Sequence, residues 1–273
     1  MLMRRLRVGF VGAGFAATFH IKGWTGVRDA DIVAICDRHR DRARVAAKLC
    51  RELGVGKPRV CTTVSEMMKT PDLDAVWITV PNFARIPVME AIAEETRQGR
   101  AELEAVACEK PLARNAGESR RMLELVKKAG LLHGYLENQV FAPSVTRGKE
   151  ILWRRAASTS GRPYLARCAE EHGGPHKPWF WDGARQGGGV LNDMMCHSAE
   201  ASRYLLTSPD EPKDTLKPRT VAAEIASLKW TRPEYTRHLK ETFKVDFSRS
   251  PVEDFARATI TYETREGFIA AAE

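Results

Sequence analysis

Short apolar runs alternate with longer segments of helical spacing through the first half of the chain. Arg7–Val11 reads as a strand with a helix following from about Phe15. Asp31–Cys36 reads as a second strand, and Arg40–Leu53 as a helix stopped by Gly54. The unbroken apolar run Ala75–Val80 predicts a fully buried strand, followed by a helix over Ile86–Gln98 and a short strand over Ala105–Cys108. A helix over Asn115–Ala129, with Gly130 as its stop, and a strand over Leu131–Leu136 close the series. This alternation predicts a doubly wound parallel sheet with helices on both faces.

Past about residue 137 the pattern changes. Ser144–Ala157 has helical spacing, Pro163–Glu171 reads as a strand, and His172–Gly189 as a loop dense in Gly, Pro and Trp. Val190–Leu206 reads as one helix. Val221–Trp230, Arg257–Tyr262 and Gly267–Ala272 read as strands, with a charged, Pro-containing insertion at 231–251. Strands that follow one another without helices between them predict an open, mainly antiparallel sheet in an α+β domain. The expected division is therefore an α/β domain over 1–137 and an α+β domain over 138–273.

The 273 residues are 43% apolar and 8% aromatic, an ordinary globular composition. The uncharged stretch from Val8 up to, but not including, Lys22 is too short and too glycine-rich to span a bilayer, which excludes a transmembrane protein. Of the net charge of +8, all sits in residues 1–60, with 13 basic and 5 acidic side chains. Zinc-finger spacing, an aromatic RNA-binding signature and a Lys/Arg block are all lacking, so the excess points to an anionic cofactor rather than nucleic acid. Six cysteines without a CxxC pair fit a reducing, cytoplasmic location. Arg4-Arg5 before an apolar run has the look of an export signal, but cleavage there would destroy the motif that follows.

That motif is Gly12-Ala13-Gly14-Phe15-Ala16-Ala17, a G-x-G-x-x-A directly after a strand. Gly12 permits the tight turn, Gly14 lets a pyrophosphate approach, and Ala17 keeps the helix close to the strand. Asp37 ends the second strand, where a carboxylate accepts from the adenosine ribose of NAD and repels a 2′-phosphate. Arg38 beside it offers a stacking surface or a phosphate ligand, so NADP stays open. Glu109-Lys110-Pro111 ends a strand where open α/β sheets bind ligands, and Lys110 can place a positive charge beside a hydroxyl oxygen. Gly187-Gly188-Gly189 precedes Asp193 and His197, whose i, i+4 spacing puts a carboxylate and an imidazole on one helix face for hydroxyl chemistry. Trp179, Trp181 and His176 read as substrate-side groups, with core or interface anchoring as the alternative for the tryptophans. Asn138 is a candidate for nicotinamide or substrate contact. The histidines His172, His176 and His197 lack the spacing of a helical metal site, so no metal is expected.

In this order and spacing, GxGxxA with His20 after it, Thr79-Val80-Pro81-Asn82, EKP and GGG-x-x-x-D-x-x-x-H resemble the Gfo/Idh/MocA family of NAD(P)-dependent oxidoreductases. The resemblance implies a Rossmann domain, then a substrate-binding and oligomerisation domain whose sheet joins subunits into a homo-oligomer. It implies hydride transfer between NAD(P) and a carbinol carbon of a sugar, sugar acid, glycoside or polyol. Gly12, Gly14, Phe15, Ala16, Asp37, Arg38, Thr79, Pro81, Asn82, Glu109 and Lys110 would then contact the cofactor. Lys110 would polarise the reacting oxygen, Asp193 would orient substrate, and His197 would exchange the hydroxyl proton. Two departures stand out: Asn82-Phe83-Ala84-Arg85 lacks the histidine usual there, and Thr96–Glu104 is a long connection. The resemblance also implies further sheet strands beyond residue 273, so the second domain is expected to be shortened at the C-terminus. Two other functions remain open, a redox-neutral enzyme that retains its NAD and a non-catalytic dinucleotide sensor.

Overall fold

The computed structural model describes residues 4–175, 177–212, 214–249, 252–264, 267 and 269–272. Two compact units divide the chain, Met1–Leu136 and Glu137–Glu273. Among the described residues no helix is long and apolar enough to cross a membrane.

The first unit runs β1 (Leu6–Val11), α1 (Phe15–Gly23), β2 (Ala30–Cys36), α2 (Arg40–Glu52), β3 (Arg59–Cys61) and α3 (Val64–Met68). It continues with β4 (Ala75–Ile78), α4 (Asn82–Arg97), β5 (Ala105–Glu109), α5 (Ala116–Lys128) and β6 (Leu132–Leu136). Its six strands are all parallel, in the order β3-β2-β1-β4-β5-β6. Alternation along each strand splits the buried side chains into two cores. Val8, Phe10 and Ile35 pack against α1 and α2 through Ala17, Ile21, Ala43 and Ala47. Val11, Ala34 and Ile78 pack with Met67, Met89, Ile92 and Met122 from α3, α4 and α5. The strand order reverses between β1 and β4, which opens a crevice at their carboxyl ends.

The short β3 and α3 were not anticipated, and α4 begins at Asn82 rather than Ile86. Pro87 lies inside α4, where its missing N–H costs one hydrogen bond without ending the helix.

The second unit runs α6 (Pro143–Ile151), a wider π-type turn over Leu152–Ala156, α7 (Ala157–Ser160), β7 (Leu165–Ala166), α8 (Gly183–Gln186), α9 (Val190–Asp193) and α10 (Met195–Leu206). After these come β8 (Lys217–Ala226), α11 (Pro233–Phe243), β9 (Phe255–Glu263) and β10 (Ile269–Ala272). The sheet order is β7-β10-β9-β8, antiparallel except for the β7–β10 pair. Of the strand expected over Pro163–Glu171, Leu165 and Ala166 pair with β10 among the described residues. The insertion at 231–251 supplies α11. With Trp181, Trp230, Phe247 and Val252, its Leu239 forms a small aromatic core.

Candidate active site

In the first unit, every motif residue of interest stands at the carboxyl end of a strand. Gly12 follows β1 with φ +104°, and a Cβ there would come within 2.9 Å of the Thr79 backbone. Only glycine fits this turn. The Thr79 hydroxyl donates to the carbonyls of Val11 and Gly12 at 3.1 Å, tying β4 to the glycine loop. Gly14 is different, since a Cβ on it would meet no protein atom within 4 Å. The space above Gly14, at the start of α1 where N–H groups lack helical partners, is open to an anion. Phe15 is exposed there and Ala16 half-buried. Asp37 accepts from the Ala13 N–H at 2.9 Å and from the His39 N–H at 2.8 Å. Its carboxylate thereby joins the glycine loop to the end of β2, and each oxygen keeps a lone pair for a hydroxyl. Arg38 is exposed, with its Nε 3.2 Å from the His39 ring. Pro81 caps α4 and Asn82 is buried in its first turn. This cradle fits a dinucleotide.

Glu109 and Lys110 follow β5. One Glu109 oxygen lies 2.6 Å from His20 Nε2, and the other accepts from the Lys110 N–H at 2.9 Å. Buried Arg85 donates to the Glu109 and Lys110 carbonyls. Neither His20 nor Arg85 is in the candidate set read from sequence.

In the second unit, the helix expected to run through Asp193 and His197 is broken. Met194 adopts φ −110°, and α9 ends before it while α10 starts after it. At this turn the His197 N–H bonds the Met194 carbonyl at 3.0 Å rather than the Asp193 carbonyl of a regular α-helix. Asp193 borders a cleft of about 920 Å³ together with Glu170, His172, Trp181, Met194 and Glu253, whereas His197 is not among its lining residues. His197 is instead buried, with Nδ1 2.5 Å from Oε1 of Glu137, itself buried and also accepting from the Gln139 N–H at 2.9 Å. Glu137 is a functional candidate that sequence reasoning missed. Its signal was a carboxylate directly after an apolar strand, but its partner lies sixty residues away with no period to link them.

The glycine run also has a different reason from the one expected. A Cβ on Gly189 would sit 1.9 Å from the Glu253 carbonyl, and Glu253 Oε1 accepts from the N–H groups of Gly189 and Leu191. The close approach at Gly189 is made by the chain itself. Trp181 is only 3% exposed and stands edge-on to Trp230 at 4.7 Å, a core anchor more than a stacking platform. Trp179 stacks on Phe180 at 3.8 Å, and Asn138 is exposed. His176 lies outside the described residues.

Glu137, Cys196 and His197 offer ligand atoms within 4.8 Å of one another. Of these atoms, His197 Nδ1 and Glu137 Oε1 are already engaged with each other. His172 accepts from the Gly174 N–H through Nδ1, which places its proton on Nε2, 3.2 Å from the Met194 sulfur.

Residues 6–135 match the family model described as oxidoreductase family, NAD-binding Rossmann fold, and residues 155–272 match the GFO/IDH/MocA C-terminal domain. The chain belongs to the GFO/IDH/MocA oxidoreductase family. Its first unit is the family's NAD-binding Rossmann domain. The chain is 28% identical over 201 residues to a myo-inositol 2-dehydrogenase of Thermotoga maritima, covering 74% of this chain and 55% of that protein. It is 27% identical over 212 residues to a 1,5-anhydro-D-fructose reductase of Ensifer adhaerens, covering 77% and 59%. Among solved structures, GenD2 from gentamicin A biosynthesis in complex with NAD superposes with a TM-score of 0.71 at 23% identity, covering all of this chain and 66% of that one. The chain thus spans little more than half the length of these two curated relatives.

Proposed function

We propose that this GFO/IDH/MocA chain transfers a hydride between NAD and a carbinol carbon of a sugar or polyol. The observation that carries the reading is the buried His197–Glu137 pair. A carboxylate at Nδ1 holds the proton there in the neutral ring, so Nε2 is the atom that takes and returns a hydroxyl proton. A positioned base of this kind contributes roughly 10²–10⁴-fold. Lys110 stabilises the oxygen that becomes negative as its proton leaves, and Asp193 orients the substrate. Bound NAD supplies the hydride acceptor. Gly12, Gly14 and the start of α1 hold its phosphates, with Phe15, Ala16, Thr79, Pro81, Asn82 and Glu109 around it. Asp37 favours NAD over NADP by repelling a 2′-phosphate, against which Arg38 is the opposing charge.

The reading extends to assembly and location. Strand β8 is exposed along nearly its whole length and carries Val221 and Ile225 outward at the sheet edge. That edge suits contact with a second copy, and a reducing cytoplasm suits the free cysteines. Sedimentation of the wild type and of Val221→Lys tests the oligomer.

The decisive experiment is a panel of sugars, sugar acids and polyols with NAD and NADP, following cofactor absorbance at pH 7–9. Turnover is expected in the wild type and lost in Lys110→Ala and His197→Ala, with NADH binding kept. Wild-type turnover in either variant rejects the assignment of that residue. Cofactor that copurifies and substrate conversion without net NADH release point to the redox-neutral reading, and NADH binding without any conversion points to a sensor.

A further inference from the structure

Arg85 lies one turn into α4 and is 4% exposed, so its cation is out of water. Its Nε donates to the Val80 carbonyl at 3.2 Å, Nη1 to the Glu109 carbonyl at 2.6 Å, and Nη2 to the Lys110 carbonyl at 3.0 Å. A buried cation costs several kcal/mol unless its donors are satisfied. Here they meet carbonyls just past the ends of β4 and at the end of β5, the two strands that carry Thr79 and Lys110. A planar fork of donors reaches several carbonyls at once, which a lysine ammonium on a flexible stem does not.

The geometry points to Arg85 as the positioning residue for Lys110. The Glu109 carbonyl belongs to the peptide before the Lys110 Cα, and the Lys110 carbonyl to the peptide after it. One guanidinium holds both. The Lys110 N–H is held as well, by the Glu109 carboxylate whose other oxygen meets His20. Each peptide is planar, so fixing the two planes fixes φ and ψ of Lys110 and hence the direction in which its Cα–Cβ bond launches the side chain. Replacing Arg85 would free that direction while leaving the ammonium itself in place. The significance of the clamp rests on Lys110 being the oxygen-polarising group proposed above.

Arg85→Lys and Arg85→Ala in the full chain test it by amide hydrogen exchange and by the acetylation rate of Lys110, read by mass spectrometry. Both variants are expected to lose roughly ten- to a hundredfold protection at the Lys110, Leu112 and Ala113 amides, with β1 and β2 as protected as in the wild type and Lys110 acetylated at a changed rate. Millimolar guanidinium, well below denaturing concentration, is expected to restore both readouts in Arg85→Ala. Protection that is unchanged at these three amides, or lost evenly across the unit, overturns the clamp. So does an Arg85→Lys protein indistinguishable from the wild type. Turnover that survives Lys110→Ala rejects the catalytic reading of the lysine but leaves these exchange results standing, so the two failures are distinguishable.

Discussion

Glu137 Oε1 stands 2.5 Å from His197 Nδ1, and both side chains are buried. The pair joins the residue just past β6 to the first turn of α10. A hydrogen bond to a charged partner in such surroundings orients the ring and selects its tautomer. Glu137→Gln retains an acceptor but removes the charge. It is expected to lower kcat roughly tenfold to a hundredfold while leaving NADH affinity unchanged. A kcat equal to that of the wild type would show that the carboxylate does not act through His197.

Gly189 and Glu253 make a second such relationship, and it is steric. With a Cβ 1.9 Å from a backbone carbonyl oxygen, Gly189→Ala cannot be accommodated by rotating a side chain. The expected cost is about 3 kcal/mol or more, seen as a fall in the thermal midpoint. Thermal melts check it, and a midpoint within a degree of the wild type would mean that the 252–254 segment moves aside freely.

The alternation of β1, β2, β4 and β5 with helices was legible because strands buried on both faces read as continuous apolar runs. The boundary of α4 was not, since Pro87 looks like a helix start and the first turn, Asn82–Arg85, carries no helical signal of its own. In the second unit the reading weakened for a physical reason. Strand identity there depends on a partner, and among the described residues Leu165 and Ala166 are the part of Pro163–Glu171 that pairs with β10. Gly12, Asp37 and Lys110 could be picked out because a local motif needs them. Glu137, Arg85 and Glu253 could not, because each acts on a residue distant in sequence and none sits in a periodic pattern. The interruption of the helix at Met194, between Asp193 and His197, likewise left no mark in the local spacing.

Gly12 and Gly14 belong to one motif but are held to glycine by different neighbours. Gly12→Ala would collide with the Thr79 backbone and strain a positive φ. It should lower stability by about 1–3 kcal/mol. Gly14→Ala meets open space, so its thermal midpoint without cofactor should match the wild type. Its NADH dissociation constant should nevertheless rise about tenfold or more, because the methyl group occupies the space where the pyrophosphate approaches. Melting curves and NADH fluorescence titrations on the same two proteins separate the effects. Equal NADH affinity in Gly14→Ala and the wild type would place the phosphates elsewhere.

The buried cysteines make the fold sensitive to alkali. Burial pushes the Cys36 thiol from its ordinary value of 9.0 up to about 12, with the neighbouring Cys61 and Asp37 adding to the effect. Burial likewise pushes Cys50 and Cys108 up to about 11, Arg85 opposing it at Cys108. In the unfolded chain these thiols lose their protons near pH 9, whereas in the native protein they keep them, so above pH 9 the native state binds more protons. Stability from these groups is therefore fully present below pH 9 and falls as pH rises towards 11–12. Denaturant midpoints between pH 8 and 11 should decline, and Cys36→Ala should flatten the decline even if it lowers the midpoint at pH 8. At pH 8 iodoacetamide should alkylate the half-buried Cys168 and Cys196 well before Cys36, Cys50, Cys61 or Cys108. Peptide mapping decides it: early labelling of Cys36 or Cys108 in the folded protein would mean that the sheet opens locally without global unfolding.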